Sequence, residues 1–175
     1  TTTIKAIASK GNDLSDVASA TYNMAVSVDN IAKFYELGKD AAAEFVNPVN
    51  VLYQNGIYLF VQDATGALQI YGAVGQTYKN GDVIPAGFQG VVGKFAGALQ
   101  LGSPVQASFK AGTTGATIAP TIVTAAQVTN DMANRLIKIG NVSVASDGKS
   151  ITDASGSLNI YSRFTDVTIP QDEKK

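Results

Sequence analysis

Three residue types that carry much of protein chemistry are missing from this 175-residue chain: cysteine, histidine and tryptophan. Without cysteine there is no disulfide, and without cysteine and histidine the usual zinc and haem ligand sets are absent. Histidine-dependent triads and cysteine nucleophiles are excluded for the same reason. The sequence therefore predicts no metal, no cofactor and a non-enzymatic protein.

Charge and long apolar runs are also scarce. Charged residues make up 15% of the chain and the net charge is −1, so nothing draws it strongly to nucleic acid or to an anionic membrane surface. No run of about eighteen apolar residues occurs, so the sequence predicts no membrane-spanning segment. The chain opens with three threonines, without Met or a signal segment, and we expect a processed piece of a longer product.

What the chain does contain is an internal repeat. Residues 63–71, DATGALQIY, return as 153–161, DASGSLNIY, ninety positions later with six of the nine residues identical. Such a repeat predicts two copies of one structural unit.

Each copy begins with Asp and has Gly three positions later: Asp63 with Gly66, and Asp153 with Gly156. This spacing is typical of a tight turn, because Asp accepts hydrogen bonds from the backbone N–H groups that follow it and Gly adopts turn conformations easily. The alternative is that Asp63 and Asp153 form a pair of catalytic carboxylates for glycoside hydrolysis. We favour structural turns, because catalysis does not require the glycines.

The first copy lies within a series of short predicted strands, at 46–54, 57–62, 67–72, 83–94 and 98–105. Asn55-Gly56 predicts a hairpin turn, and Pro85 and Gly87 predict a sharp bend in the fourth strand. A short helix is expected from Asp29 to Leu37, with Asp29 as its N-cap and Gly38 after its end. Five bent strands with a helical turn suggest a Greek-key barrel of the OB type.

The second copy follows the same order but stops early. Thr124 and Gln127 have the spacing of a capping box, and strands are expected at 136–145, 150–153 and 158–164. Nothing after Tyr161 matches segment 81–104, so the second barrel is predicted to be incomplete at its C-terminus. We expect the missing strands to lie downstream, unless they come from elsewhere in the chain, where Thr3–Ala8 is one plausible strand.

The predicted fold class is therefore all-β with minor helix, built from two OB-like Greek-key β-barrel repeats. The predicted parts are an N-terminal segment (1–27), a first OB-like repeat (28–106), a linker (107–120) and a partial second repeat (121–175). The linker is predicted from its richness in Gly, Ala and Thr.

The same residues resemble a family of secreted, often lipid-anchored OB-like repeat domains of Bacteroidetes bacteria. The matching pieces are 51–66, 70–72, 81–84, 90–95 and Gly97, followed in the second copy by 134–136, 150–161 and Phe164. The resemblance covers roughly residues 28 to 168. It implies a β-barrel fold and a bacterial secreted or cell-surface location, with a lipid anchor in the full-length protein.

Aromatic residues supply the candidate binding surface: Tyr53, Tyr58, Phe60, Tyr71, Phe88 and Phe95. On an OB barrel, aromatics on the outer face of the central strands stack against bases or sugar rings. Ile57, Leu59 and Val61 share one face of their strand and Tyr58 and Phe60 share the other, and the sequence leaves open which face is exposed. We predict Tyr58, Phe60 and Tyr71 as the ligand contacts.

The predicted function is a non-enzymatic binding or spacer module with a glycan or protein partner. The first alternative is single-stranded nucleic-acid binding, against which the basic residues argue because they are scattered singly rather than clustered. A carboxylate-based hydrolase is the third. The identity of the ligand and the oligomeric state stay open.

Overall fold

Residues 2–22 and 24–164 are described by a computed structural model of the chain. Strands make up 43% and helices 9% of this part, which confirms the expectation of an all-β fold with minor helix. An N-terminal arm precedes the main sheet. It contains β1 (Thr2–Ala6), β2 (Ser9–Lys10), β3 (Asp13–Leu14) and β4 (Ala18–Tyr22).

A nine-stranded sheet forms the first unit of the structure, residues 26–114. Its elements are β5 (Val26–Val28), α1 (Ile31–Tyr35), β6 (Ala42–Phe45), β7 (Val49–Asn55), β8 (Tyr58–Gln62), β9 (Ala67–Tyr71), β10 (Asp82–Ile84), β11 (Gln89–Phe95), β12 (Ala98–Gly102) and β13 (Thr113–Thr114). The strand order is β13-β10-β7-β8-β9-β12-β11-β6-β5. Although β6 runs directly into β7, the two lie near opposite ends of this order, so the sheet curls into a half-barrel.

The concave side of the sheet holds the hydrophobic core. Inward-facing residues of β8 and β9 are fully buried, among them Val61, Leu68 and Ile70. Four phenylalanine rings cross this core in a row, with centroid separations of 5.7, 4.6 and 5.4 Å: Phe34, Phe45, Phe88 and Phe109. Burying four large rings removes much apolar surface from water, which is the main stabilising contribution to such a fold.

Helix α1 starts one residue later than predicted. Asn30, not Asp29, caps it, since Asn30 Oδ1 accepts the Lys33 N–H at 2.9 Å. The Asp29 carbonyl instead accepts a hydrogen bond from the Asn47 side chain. The apolar face of the helix, with Ile31 and Phe34, is buried.

The first hairpin also differs from the prediction by one residue. Asn55 is the last residue of β7 and pairs with Tyr58, so the two-residue loop is Gly56-Ile57, and Gly56 has a φ of +57°. Glycine takes this conformation without a steric penalty, which suits the first position of the observed loop.

A β-bulge changes the direction of one aromatic side chain in β7. Val51 pairs with Val61, but Tyr53 pairs with Phe60, so Leu52 is an extra residue in the strand. A regular strand would place Val51 and Tyr53 on one face, but a bulge inserts one residue and reverses the side of those that follow. Tyr53 points to the outer face, while Leu52 is buried.

The segment predicted as a linker belongs in part to the first unit. Phe109 is only 2% exposed and lies in the core. Thr113–Thr114 pairs with β10, and the Tyr78 hydroxyl donates to the Lys110 carbonyl at 2.7 Å. Small residues around Phe109 suggested flexibility, but one buried aromatic ring is enough to anchor the segment. The contacts of the first unit therefore extend past residue 106, the predicted boundary, to Thr114.

The second unit repeats the first half of the first. It contains β14 (Thr121–Val123), β15 (Ile137–Ile139), β16 (Ser143–Val144), β17 (Ser150–Asp153) and β18 (Gly156–Asn159), with 3-10 turns at Ala125–Gln127 and Asn130–Met132. β14 pairs in parallel with β15, as β5 does with β6, and β16-β17-β18 form an antiparallel sheet, as β7-β8-β9 do.

Two strand predictions in the second unit need correction. The predicted strand 136–145 is divided into β15 and β16 at Gly140–Val142, where Asn141 has a φ of +53°. The last described strand ends at Asn159 rather than at 164. Within residues 121–164 no strand corresponds to β10, β11 or β12, and residues 165–175 of the predicted second repeat lie outside the described part.

Candidate functional site

The repeated Asp residues each organise a turn and the start of a helix. Asp63 Oδ1 accepts from the Thr65 N–H, the Thr65 hydroxyl and the Gly66 N–H at 2.7, 2.6 and 3.0 Å. Its other oxygen accepts the Ile31 N–H, at the start of α1, at 2.7 Å. Asp63 therefore ties the β8–β9 turn to a helix 32 residues earlier, satisfying a backbone donor that the helix leaves free.

Asp153 makes the same four hydrogen bonds in the second unit. Oδ1 accepts from the Ser155 N–H, the Ser155 hydroxyl and the Gly156 N–H, and Oδ2 accepts the Ala125 N–H at 2.8 Å. The Ser155 hydroxyl bond, followed by the Ala125 N–H bond, lowers the pKa of Asp153 to about 2. A carboxyl group with this pKa stays ionised and cannot serve as a general acid near neutral pH.

A second candidate site lies on the outer face of the first unit, where aromatic side chains gather. Tyr58 pairs with Tyr71 across β8 and β9, and their ring centroids are 5.2 Å apart. Phe60 lies opposite Tyr53 on the neighbouring strand. Leu59 and Val61 fill the core, so the aliphatic face of β8 points inward and its aromatic face points outward.

The chain itself covers part of this aromatic face. The Phe164 ring lies 5.4 Å from Tyr53, 5.7 Å from Tyr58 and 6.5 Å from Phe60. The Arg163 guanidinium lies 4.5 Å from the centre of the Tyr58 ring and donates to the Tyr58 hydroxyl at 2.8 Å. These cation–π and hydrogen-bond contacts hold the segment in place, so Tyr58 and Phe60 are half-buried rather than open to a ligand.

A small hollow remains open beside the covered region. It has a volume of about 70 Å³ and is lined by Gln69, Tyr71, Phe95, Gln100 and Arg163. The Gln69 amide donates to the Gln100 side-chain oxygen at 3.1 Å, so the two amides form a hydrogen-bonded pair in the lining of the hollow. Tyr71 is 38% exposed and Phe95 is 62% exposed. The hollow thus combines two accessible rings with amide and guanidinium groups.

The structure brings together some of the predicted aromatic residues and separates others. Tyr58, Phe60 and Tyr71 share one surface with Tyr53, whereas Phe88 is fully buried in the core. The sequence reasoning missed Gln69 and Gln100. Each follows a leucine and precedes a buried residue in its strand, so strand alternation alone would have placed both on the outer face.

A larger cleft separates the two units. Its volume is about 750 Å³, and small residues from α1, the β8–β9 turn and the β11–β12 turn line most of one side. Across it, the Asn134 amide lies 3.4 Å from the Tyr35 hydroxyl, which itself donates to the Ala67 carbonyl. Burial raises the pKa of Tyr35, so this hydroxyl stays protonated as a donor.

No group of three or more His, Cys, Asp or Glu side chains capable of holding a metal ion occurs among residues 2–22 and 24–164. In the same part of the chain, no helix is both long and apolar enough to cross a membrane. Comparison with protein-family models, with curated proteins and with solved structures finds no match for this chain.

Proposed function

We propose that this chain is a non-enzymatic binding module of a secreted or cell-surface bacterial protein. Its ligand is a glycan held on the outer face of β9, β12 and β11. The observation that carries the proposal is the hollow lined by Tyr71 and Phe95, by the hydrogen-bonded Gln69–Gln100 pair and by Arg163.

The chemistry of this surface suits a sugar. Exposed aromatic rings offer flat apolar faces on which a sugar ring can stack. The amides and the guanidinium supply donors and acceptors for hydroxyl groups. A 70 Å³ hollow is far smaller than the roughly 300–1,000 Å³ of enclosed small-molecule pockets. We therefore expect the sugar ring to lie across Tyr71 and Phe95, with only a substituent entering the hollow.

We also propose that both units are OB-like repeats. In the first unit, β6 with β7 would form the first strand, β8 and β9 the next two, β10 with β11 the bent fourth and β12 the last. The bend in the fourth strand falls at residues 85–88, between β10 and β11. The face of strands two and three is where OB folds bind oligosaccharides and oligonucleotides, and it adjoins the proposed site.

The charges of this surface favour a sugar over a phosphate backbone. Of the basic residues that the structure describes, only Arg163 lines the hollow. Single-stranded nucleic acid needs a positively charged groove along its path. Oligonucleotides are therefore useful as a competing ligand class in the test.

The experiment is a glycan-array screen followed by calorimetric titration of the glycan that binds best. We expect Tyr71→Ala and Gln100→Ala each to weaken binding by about tenfold or more, as for central contacts in an interface. Tyr161→Ala is the control, because Tyr161 is 85% exposed and does not line the hollow. Full binding by Tyr71→Ala, or binding of oligonucleotides alone, would contradict the proposal.

A further inference from the structure

The second unit has an apolar face that its own described residues leave half open. Val61, Leu68 and Ile70 are fully buried in the first unit. Their counterparts ninety residues later, Ile151, Leu158 and Ile160, are only half-buried. The inward-facing residues are therefore present in both copies, but only the first copy covers them.

The two units differ in burial because of one hairpin, which covers the apolar face of the first unit. In the first unit, β11 and β12 form an antiparallel hairpin that lies between β9 and β6, with β12 pairing to β9 and β11 pairing to β6. In the second unit the corresponding strands are β18 and β15, and within the described residues neither pairs with a strand on that side. An open edge beside a half-exposed apolar face is a site for pairing with another segment.

The N-terminal arm has the form of the missing hairpin. β1 and β4 pair antiparallel over five residue pairs, the same number that joins β11 to β12. Ile4 lies opposite Ala20 and Ala6 opposite Ala18 on one face, while Lys5 lies opposite Ser19 on the other. Every side chain from residue 2 to residue 20 is exposed, so the apolar face of this arm is uncovered.

Such an arm gains stability by docking. An isolated two-stranded hairpin is marginal in water, and a further strand or a packed face is needed to stabilise it. Here the apolar face includes Ile4, which is 56% exposed in a strand that belongs to no larger sheet. Among the described residues, the arm therefore has no sheet to pack against, and the second unit has no hairpin between β15 and β18.

We propose that a second copy of the chain covers the second unit: the arm of one copy docks between β15 and β18 of the next. The arm, Thr2–Tyr22, contributes 21 residues, and a stable interface uses about 20–30 residues on each side. The arm carries two Lys and two Asp, so its net charge is zero, and the whole chain carries only −1. So small a net charge does not oppose association.

The geometry makes this contact heterologous, because the donating and accepting surfaces differ. A heterologous contact joins copies head to tail and produces a closed ring or an open chain of subunits. The inference is independent of the glycan site, since the hollow on the first unit belongs to neither docking surface.

The first experiment measures mass in solution. We expect sedimentation velocity of the 175-residue chain to show species above the monomer mass of 18.1 kDa, growing between about 1 and 200 µM. Ile4→Asp should leave a monomer, while Ser19→Asp, the same change on the polar face of the same hairpin, should retain the larger species. A monomer at every concentration, or large species that persist in Ile4→Asp, would overturn the proposal.

The second experiment separates donor from acceptor. Leu158→Asp should block the accepting face while leaving the arm intact. Alone, each variant should be monomeric, but a mixture of Ile4→Asp with Leu158→Asp should form a one-to-one dimer, because one intact arm then meets one intact acceptor. Circular dichroism checks that Leu158→Asp is folded. If it is not, deletion of residues 1–22 gives a complementary test: the shortened chain keeps its acceptor but has no arm, so it should be monomeric alone. In excess over the intact chain, it should reduce the head-to-tail assemblies to one-to-one complexes. A mixture that stays monomeric would overturn the proposal.

Discussion

At the scale of single residues, the two repeated aspartates explain why the most similar segments of the chain are turns. Each carboxylate accepts four hydrogen bonds, three from its own turn and one from the start of a preceding helical segment. Only Asp has both oxygens at the right reach, and only Thr or Ser adds the hydroxyl donor, so the motif tolerates few substitutions.

This bonding predicts how acid affects the second unit. The pKa of Asp153 is about 2 in the folded state and 3.8 when unperturbed. Since the folded pKa is the lower one, ionised Asp153 stabilises the fold above about pH 4, and this contribution is lost as the pH falls towards 2. An NMR titration of the Asp153 carboxyl group should give a midpoint near 2, and Asp153→Asn should remove this part of the acid sensitivity. A midpoint near 3.8 would contradict the bonding described.

The spacing of Asp and Gly was enough to predict these turns from the sequence, because the three bonds within the turn are local. The fourth bond was not predictable, since it joins Asp63 to Ile31 and Asp153 to Ala125 across folded structure. The same limit explains the choice of Asp29 as helix cap. Local chemistry permits both Asp29 and Asn30 as caps; in the structure Asn30 caps the helix and the Asp29 carbonyl accepts from Asn47.

At the scale of elements, the close packing of β11 on β12 depends on a glycine. A Cβ atom at Gly90 would lie 2.8 Å from Leu101 Cγ and 2.9 Å from the Gly102 carbonyl oxygen. A side chain there would push the two strands apart. The β11–β12 hairpin carries Phe95 and Gln100 on its outer face, so its position also decides the shape of the candidate site.

Gly90→Ala should therefore lower the free energy of unfolding by about 1–3 kcal/mol, the usual cost of overpacking. Gly38→Ala serves as the control, because a Cβ at Gly38 would meet nothing within 4 Å, and we expect a change within about 0.5 kcal/mol. Urea denaturation of both variants measures the difference. Equal stabilities would mean that the two strands are not packed as described.

Alternation and turn residues predicted the approximate positions of most strands, but they did not predict which side chains of the outer face are accessible. The bulge at Leu52 turns Tyr53 outward. No pattern in the neighbouring sequence predicts this bulge. Tyr58 and Phe60 were predicted as ligand contacts because they are aromatic and alternate with buried residues. In the structure they are covered by Phe164, more than a hundred residues later in the chain. Their exposure to solvent therefore depends on a tertiary contact, which local sequence does not predict.

At the scale of the whole molecule, the first unit is a half-barrel with a buried hydrophobic core, and the described residues of the second unit repeat its first strands. The first unit needs the segment around Phe109 to complete its row of stacked rings. The composition of the segment did not predict that Phe109 lies in the core, because a single phenylalanine among Gly, Ala and Thr is also typical of a linker. The internal repeat predicted two copies of one unit, and in the structure β14–β18 pair in the same order as β5–β9.

Phe109→Ala should cost about 3–5 kcal/mol of stability, as expected for removing a buried ring from a packed core. Ile122→Ala, at a position that is 79% exposed, should change stability by less than about 0.5 kcal/mol. Thermal and urea unfolding provide the comparison. A small effect of Phe109→Ala would restore the interpretation of 107–120 as a linker.

The central claim is that the outer face of β9, β12 and β11 is the binding surface, and NMR mapping tests it most directly. Backbone amide shifts would be followed while the best glycan from the array is added to labelled protein. We predict that the largest changes fall at Gln69, Tyr71, Phe95 and Gln100, around the open hollow. Changes concentrated around Tyr35 and Asn134, in the cleft between the units, would contradict the account.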